Sequence, residues 1–300
     1  MRIEKLVVVG VGLIGASCAL ALRAAGAVGH VVGVGRSQTN LERALARGAI
    51  DRAVLLGDDW AGEVVGADFV LIAIPVAQCR DMFAALAPVL GERAILTDAG
   101  STKQDVVSAA RECLGRRLPQ FVPGHPIAGN ERSGADAADP ALYVGRQVIL
   151  TPLPETSAAA MKRVEAFWTA CGARVERLDP ARHDRILAAV SHLPHLLAST
   201  LVAELASRTD SAEYLSHAGS GFRDFTRIAG SSPEMWRDIA LANREALLTE
   251  LACYRTALDA LALSIEHGDR AALDTMLARA AEARRRWGET VAGVPVGAAP

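Results

Sequence analysis

A glycine-rich turn near the amino terminus constrains the fold of this chain more than any other feature. Residues 10–15 read Gly-Val-Gly-Leu-Ile-Gly and lie between the apolar run Lys5–Val9 and a helical pattern. In such a turn the first glycine permits a tight bend, the second admits a diphosphate and the third lets the helix pack on the strand. We therefore predict a dinucleotide site, because free amides and the helix dipole attract phosphate there. Its predicted residues are Gly10, Gly12, Leu13, Ile14 and Gly15.

Short β-branched runs alternate with helical patterns through residues 1–179. Several runs are apolar throughout, which is typical of parallel strands covered by helices on both faces. The alternation predicts a Rossmann-type, doubly wound and mostly parallel α/β domain over residues 1–179. The predicted strands are Lys5–Val9, Val31–Val34, Phe69–Ile74, Ala94–Thr97, Gln147–Leu150 and Arg174–Leu178, and the predicted helices include Gly15–Ala25, Ala77–Leu90 and Glu155–Cys171.

Strand signals stop after Asp179, so residues 180–300 are predicted to form an all-helical domain. Ser232-Pro233 is a plausible capped start of a helix. The segment Ser232–Ala262 is apolar around its circumference, and we expect this domain to hold the protein as a homodimer. The predicted helices are His183–Leu205, Ser232–Ala262 and Arg270–Trp287.

Composition and charge exclude several classes of protein. The 32 basic residues are dispersed and the net charge is −2, so we expect no nucleic-acid partner. Five scattered cysteines without a C-x-x-C pair argue against a disulfide framework or a zinc site and favour a cytoplasmic location. The longest apolar stretch, Ala67–Ala77, is too short to cross a bilayer, so no membrane partner is expected.

The end of the second predicted strand bears on the choice of cofactor. NAD sites usually carry an acidic residue there, but this chain has Gly35, followed by Arg36 and Ser37. A missing carboxylate removes repulsion against a 2′-phosphate, which Arg36 and Ser37 would bind, so NADP is favoured over NAD. The alternative is that Arg36 stacks on adenine and the enzyme accepts either cofactor. Pro75, after the third predicted strand, is also assigned to the cofactor site.

Two polar segments are candidates for the chemistry. The segment Asp98–Lys103 follows a predicted strand, at the edge where such sheets bind ligands. His125 lies between Gly124 and Pro126, where extended backbone is enforced. A fixed loop histidine suits proton abstraction from an alcohol, although a structural histidine is equally consistent with the pattern. Lys103 either neutralises a nearby carboxylate or faces solvent, so it is left outside the catalytic set.

Four motifs follow one another in an order that resembles a single enzyme family. They are DAGSTK at 98–103, GHPIAG at 124–129, SHLPH at 191–195 and GFRDFTRIAG at 221–230. Together with the early glycines they are similar to the prephenate/arogenate dehydrogenase family over about residues 5–290. The resemblance implies a Rossmann domain and a helical dimerisation domain that bind a small-molecule substrate between them. No metal is implied, and no His/Cys/Asp cluster has ligand spacing.

The resemblance also implies roles for individual residues. His125 matches the catalytic histidine that bonds the substrate's 4-hydroxyl, and Ser101 matches the serine that supports this histidine and contacts the same hydroxyl. Arg227 matches the arginine that grips a substrate carboxylate. Residues matched to the substrate pocket are Glu131, His195, Asp224 and Trp236, with His183 and His192 as less specific matches.

Some of these matches have structural interpretations as well. Arg227 follows Asp224 by three residues, a helical spacing at which the two would form a salt bridge. His192 is equally consistent with a core histidine. Glu131 has the alternative of a plain loop carboxylate, and Trp236 that of core or dimer packing.

The implied reaction is the oxidative decarboxylation of prephenate to 4-hydroxyphenylpyruvate, or of arogenate to tyrosine, with NADP or NAD as the hydride acceptor. A first alternative is a dehydrogenase of β-hydroxy or imino acids. Such enzymes typically use a lysine of the helical domain, and residues 180–300 contain none. A second alternative is a catalytically silent dinucleotide sensor, which would not need Ser101, His125 and Arg227 together.

Overall fold

A mostly parallel α/β architecture is present, as predicted. The computed structural model describes residues 2–129 and 132–292. Each of the six predicted strands overlaps an observed strand. The strands within the described residues are β1 (Ile3–Val9), β2 (Val28–Gly35), β3 (Arg52–Leu55), β4 (Phe69–Ile72), β5 (Ile95–Asp98), β6 (Phe121–Val122), β7 (Gly124–Pro126), β8 (Gln147–Leu150) and β9 (Arg174–Arg177).

Helices separate most of these strands and follow the last of them. Those of the α/β part are α1 (Leu13–Ala24), α2 (Gln38–Ala46), α3 (Ala61–Val64), α4 (Cys79–Leu86), α5 (Gln104–Cys113) and α6 (Ala158–Ala170). Those that follow are α7 (Pro180–Leu187), α8 (Leu193–Ala206), α9 (Ser211–Ser216), α10 (Ser220–Thr226), α11 (Pro233–Ala242), α12 (Arg244–Glu266) and α13 (Arg270–Ala292). No strand follows β9 within the described part of the chain.

The main sheet has six parallel strands in the order β3-β2-β1-β4-β5-β6. The order reverses direction at β1, and the crevice at such a switch point is where doubly wound sheets bind ligands. The registers of β1, β4 and β5 bring the carboxyl ends of these strands, at Val9, Ile72 and Asp98, to one edge of the sheet. The glycine turn and the DAGSTK segment leave the sheet at this edge.

A second, three-stranded sheet has the order β7-β8-β9. Two of the predicted strands, β8 and β9, belong to this sheet and do not extend the main one. β7 was not predicted, because it forms by pairing with β8, which is distant in sequence, and its His125 pairs antiparallel with Ile149. The second sheet therefore fixes the backbone on both sides of the histidine.

The core forms a layer on each face of the main sheet. Alternate residues of β1 face opposite layers, with Val8 in the layer of α1 and α6, and Val9 in the layer of α4 and α5. The first layer contains a stacked pair of fully buried rings, Phe69 and Phe167, whose centroids are 4.5 Å apart. Apolar strands with helices on both faces account for this arrangement.

The helical part differs from the prediction in several places, and α9 and α10 were not predicted. The predicted helix His183–Leu205 contains a π-helical turn at Ala188–His192. The predicted helix Ser232–Ala262 is interrupted at Asn243, which leaves helical geometry and donates a hydrogen bond to the Asp184 carbonyl oxygen at 2.8 Å. The predicted start is confirmed, since the Ser232 hydroxyl accepts from the Met235 amide.

The continuous helical segment Pro180–Ala206 is long and apolar enough, by length and mean hydropathy, to span a membrane. Core helices of soluble proteins also meet these criteria. His183 and Asp184, near its start, are buried and hydrogen-bonded to other elements of the same compact unit. The beginning of this helix is therefore part of the protein core.

Contacts divide the chain into two compact units, and the boundary along the chain lies between Arg244 and Glu245. The first unit contains both sheets and the helices as far as α11. The second contains nearly all of α12 and the whole of α13. The boundary that the sequence indicates after residue 179 marks the end of the α/β pattern and stays a prediction.

Candidate active site

The three glycines of the turn differ in what surrounds them. Gly10 has φ +95°, and a Cβ atom there would lie 2.2 Å from the Ala73 carbonyl oxygen. A Cβ on Gly15 would lie 2.2 Å from the Gly10 carbonyl oxygen, whereas one on Gly12 would meet nothing within 4 Å. Gly10 and Gly15 are thus required by the packing of the turn. Gly12 keeps the N-terminus of α1 open, as a diphosphate site requires.

A cavity of about 490 Å³ lies at the carboxyl edge of β1, β2 and β4. Five of the predicted cofactor residues line it, namely Gly10, Gly12, Arg36, Ser37 and Pro75. The other three, Leu13, Ile14 and Gly15, belong to the first turn of α1, beside the cavity. Lining residues that sequence reasoning missed include Asn40, Leu56, Trp60, Gln78, Asp81 and Met82.

The segment after β2 presents a cation at the cavity. Arg36 is exposed and forms no hydrogen bond or ion pair with any residue in 2–129 or 132–292. The Ser37 hydroxyl accepts from the Asn40 amide at 3.3 Å and so caps α2. The guanidinium is available to an anionic ligand, whereas Ser37 has a structural role and its contact with a 2′-phosphate stays a prediction.

Asn40 links two loops beside the cavity. Its Nδ2 donates to the Val11 carbonyl oxygen at 2.6 Å, and its Oδ1 accepts from the Ala135 amide at 2.8 Å. These bonds connect the glycine turn to the segment at Ala135, which lies 95 residues beyond Asn40. No local pattern around Asn40 signals this contact, so the sequence could not reveal it.

A fully buried ion pair joins Asp98, at the end of β5, to Lys103. The Lys103 Nζ lies 2.5 Å from Asp98 Oδ2 and also donates to the Gly124 carbonyl oxygen at 2.8 Å. Asp98 Oδ1 in turn accepts from the Gly124 amide at 3.0 Å. Of the two interpretations of Lys103, neutralisation of a nearby carboxylate is confirmed. The pair holds both polar backbone groups of the residue that precedes His125.

His125 is the first member of a buried hydrogen-bonded chain. Its Nδ1 lies 2.8 Å from the Nε2 of His183, whose Nδ1 lies 2.8 Å from Asp184 Oδ1. The carboxylate also accepts from the Lys103 and Gln104 amides, both at 2.8 Å, at the start of α5. The structure thus brings His183, one of the less specific matches, into direct contact with the predicted base.

Burial sets the protonation of this chain. It lowers the pKa of His125 well below the ordinary 6.5, and the nearby His183 and Lys103 add to the effect. Burial also lowers the pKa of His183, against the opposing influence of Asp184. For Asp184 burial alone would raise the pKa, but hydrogen bonds from His183 and the Gln104 amide outweigh it, so its pKa is lowered. Two neutral imidazoles and one carboxylate result at neutral pH.

Ser101 lies half-buried in the loop after β5, two residues beyond Ala99. Its hydroxyl forms no hydrogen bond to His125 within the described residues. The hydroxyl is therefore available to a ligand. Support of His125 by Ser101 stays a prediction for the substrate complex.

An aromatic cluster contains three of the residues matched to the substrate pocket. The rings of His195 and Trp236 stack with centroids 3.7 Å apart, and the His192 ring lies 6.1 Å from Trp236. Burial lowers the pKa of His192 and of His195 to about 4 in each case. Two ring nitrogens of this cluster are buried without a hydrogen-bond partner in the described part of the chain, namely His195 Nδ1 and Trp236 Nε1. Unpaired buried donors and acceptors are costly, and a polar ligand would satisfy them.

Arg227 and Asp224 do not form the ion pair that helical spacing suggested. Asp224 is exposed in α10, whereas Arg227 begins the 3-10 turn Arg227–Gly230. Asp224 has no hydrogen bond or ion pair with the described residues. Arg227 lies close enough to His195 to lower the pKa of that imidazole. Glu131, also matched to the pocket, lies outside the described residues.

Comparisons with known proteins agree with this geometry. Residues 18–177 match the family described as prephenate dehydrogenase, nucleotide-binding domain, and residues 179–279 match the family described as prephenate dehydrogenase, dimerization domain. The cyclohexadienyl dehydrogenase of Zymomonas mobilis is 37% identical over 83% of this chain and 84% of its own length. The prephenate dehydrogenase of Bacillus subtilis is 35% identical over 89% of this chain and 71% of its own length.

Similar structures have also been solved. A prephenate dehydrogenase of Aquifex aeolicus, in complex with hydroxyphenyl propionate and NAD+, is 33% identical, with a TM-score of 0.86 over 95% of this chain and 98% of that one. The arogenate dehydrogenase of Synechocystis is 31% identical, with a TM-score of 0.77 over 95% of this chain and 100% of that one.

The contrast between Gly10 and Gly12 gives a matched pair of substitutions. Gly10→Ala should lower the free energy of unfolding by roughly 1–3 kcal/mol or more, because it combines positive φ with a clash against the backbone. Gly12→Ala should unfold at the wild-type temperature, yet bind the dinucleotide roughly ten-fold or more weakly, because its methyl group occupies the diphosphate space. Thermal unfolding and a fluorescence titration with cofactor measure the two effects. Wild-type cofactor affinity in Gly12→Ala would contradict the assignment.

Proposed function

Since the chain belongs to the prephenate dehydrogenase family, we propose that it oxidatively decarboxylates prephenate to 4-hydroxyphenylpyruvate, arogenate to tyrosine, or both. One observation carries the assignment of the chemistry to residues. A buried and neutral histidine, His125, is held beside the carboxyl edge of a sheet that also carries a cavity of dinucleotide type. The reaction belongs to tyrosine biosynthesis, and the cytoplasm is the expected location.

The cofactor is a pyridine dinucleotide, which supplies the hydride acceptor when bound. The residues fit such a group, because Gly12 leaves the N-terminus of α1 open and the glycine turn borders the cavity. The diphosphate would lie against the amides of Leu13 and Ile14, where the dipole of α1 favours negative charge. Pro75, in the loop after β4, would form part of the wall of the cavity beside this edge of the sheet.

The reaction requires one base and a fixed orientation of the substrate. His125 accepts the proton of the C4 hydroxyl as hydride leaves C4, so a conjugated ketone forms. The bond between C1 and its carboxylate then breaks, CO₂ leaves, and the bonding electrons restore the aromatic ring. The phenolate oxygen regains a proton from His125. Aromatisation drives the reaction, so no metal is required of the protein.

The remaining site residues would hold the substrate. Ser101 would hydrogen-bond the C4 hydroxyl next to His125, and Arg227 would bind a substrate carboxylate through two parallel hydrogen bonds. The unpaired nitrogens His195 Nδ1 and Trp236 Nε1 would provide polar contacts, and we retain His192 as a candidate pocket residue. We retain Asp224 and Glu131 as candidate pocket residues on the strength of the family motif.

Absorbance at 340 nm tests the function directly. The wild-type enzyme should reduce its cofactor with prephenate, arogenate or both, and should not do so without them. His125→Asn should lose roughly 10²–10⁴-fold in kcat with little change in cofactor affinity, since it removes the base alone. Ser101→Ala should cost less, because the base remains. Activity of His125→Asn within a few-fold of wild type would remove His125 from the mechanism.

The role of Arg227 has a separate test. Arg227→Ala should raise KM for the substrate about 10–150-fold, which corresponds to a charge-assisted pair of roughly 1.5–3 kcal/mol. The effect on kcat should be smaller if the contact is equally strong in the ground and transition states. Arg227→Lys should recover part of the loss, since it keeps the charge without the planar fork. A lower melting temperature with unchanged KM would indicate a structural role instead.

Within the pyridine dinucleotides we propose a preference for NADP. Gly35 removes the usual carboxylate, and the Arg36 guanidinium is exposed at the cavity. Arg36→Ala should raise KM for NADP about ten-fold or more and leave that for NAD nearly unchanged. Arg116→Ala, at another exposed arginine, is the matched control and should change neither. A wild-type preference for NAD of ten-fold or more would contradict the proposal.

We also propose a homodimer formed through the helical domain, which we place after residue 179. The second compact unit exposes large apolar side chains, including Leu248, Leu258, Ile265, Leu277 and Trp287, and patches of this kind mark interfaces. Light scattering at micromolar concentration should give twice the chain mass of 31.5 kDa. Leu258→Glu should weaken the dimer, whereas Val65→Glu, at an exposed valine of the α/β part, should not. A monomeric wild-type protein would overturn the proposal.

A further inference from the structure

In the buried chain Asp184–His183–His125, the geometry determines which atom donates in each hydrogen bond. Asp184 Oδ1 lies 2.8 Å from His183 Nδ1, and a carboxylate can only accept a hydrogen bond. His183 Nδ1 must therefore carry the hydrogen. In a neutral imidazole the other nitrogen is then an acceptor, so His183 Nε2 presents a lone pair to His125.

The same reasoning passes to the second ring. His125 Nδ1 lies 2.8 Å from His183 Nε2, and since that nitrogen is an acceptor, His125 Nδ1 must donate. Its hydrogen leaves the His125 Nε2 with a lone pair. This nitrogen forms no hydrogen bond within the described part of the chain.

We propose that His183 and Asp184 are positioning residues that fix His125 in the Nδ1–H tautomer, so that Nε2 accepts the proton of the substrate hydroxyl. The inference about the proton acceptor rests on the proposed function, whereas the inference about the tautomer does not. A neutral histidine without such a partner exchanges between two tautomers, and only one of them has a free lone pair at Nε2.

The surroundings of His125 agree with this direction. Burial lowers its pKa most, and the nearby His183, Lys103 and His192 lower it further. The carboxylates of the network are already engaged, Asp98 by Lys103 and Asp184 by the start of α5. Neither carboxylate is within hydrogen-bond reach of the His125 ring, so Asp184 acts on it through His183.

Substitution of Asp184 would disturb two functions, because this carboxylate also holds the amides of Lys103 and Gln104. The His183 ring forms just these two hydrogen bonds within the described residues, so it is the better position to change. His183→Leu removes the donor and the acceptor together. His183→Gln can donate to Asp184 and accept from His125, so it is the conservative partner of the leucine variant.

The tautomers can be measured without any assay of activity. In the full-length wild-type protein labelled with 15N-histidine, at pH 8, both His125 and His183 should show a protonated Nδ1 and an unprotonated Nε2. Spectra of His125→Asn and His183→Gln assign the signals. A protonated Nε2 on His125 would overturn the proposal, whether or not the enzyme is active.

Kinetics on the same variants test the consequence. His183→Leu should lose roughly 10–100-fold in kcat, while KM for substrate and the affinity for cofactor change less than about three-fold. His183→Gln should recover most of the loss, and His217→Leu, at an exposed histidine, should equal wild type. A folded His183→Leu with wild-type kcat would contradict the proposal, and if this variant does not fold, the wild-type spectrum still decides. Inactivity of the wild type with prephenate and arogenate would instead reject the proposed function.

Discussion

The ion pair between Asp98 and Lys103 is the interaction on which the site depends. Both side chains are completely buried, and burial of charge is unfavourable unless partners compensate for the lost water. Here the compensation comes from the Gly100 and Gly124 amides and the Gly124 carbonyl group. The pair therefore requires the backbone before His125 to take one conformation. Removal of either partner would leave an unpaired charge in the core, which is far costlier than the loss of a surface pair.

This constraint connects the fold to the chemistry. Asp98 lies at the end of β5, at the edge of the main sheet. The ion pair fixes the position of β7 relative to this edge, although β7 belongs to the second sheet. Asp184 makes a further connection, because it accepts hydrogen bonds both from the start of α5 and from the His183 ring. His125 is thus oriented by strands, helices and buried charge, and the same burial keeps it neutral. A base that is neutral and fixed before substrate arrives needs little reorganisation during the reaction.

The sequence predicted those parts of the structure that local patterns specify. The glycine turn, the alternation of strands and helices and the Ser232 cap depend on residues close together in the chain, and they are confirmed. β7 and the break at Asn243 were missed, because their cause is contact with residues far away in sequence. Asn243, for example, interrupts a helix to reach the Asp184 carbonyl oxygen. Motif resemblance drew attention to His125, but the contact with His183 across 58 residues is visible only in the structure.

We propose that burial keeps His125 neutral, so that it can accept the proton of the substrate hydroxyl. The dependence of kcat/KM for prephenate or arogenate on pH in the wild-type enzyme tests this. Because the pKa of His125 is lowered, its neutral form persists through neutrality and is lost only as the pH falls through the depressed value. We expect kcat/KM to be constant around pH 7 and to fall at acid pH with a midpoint below 6.5. A midpoint at or above 6.5 that disappears in His125→Asn would contradict it.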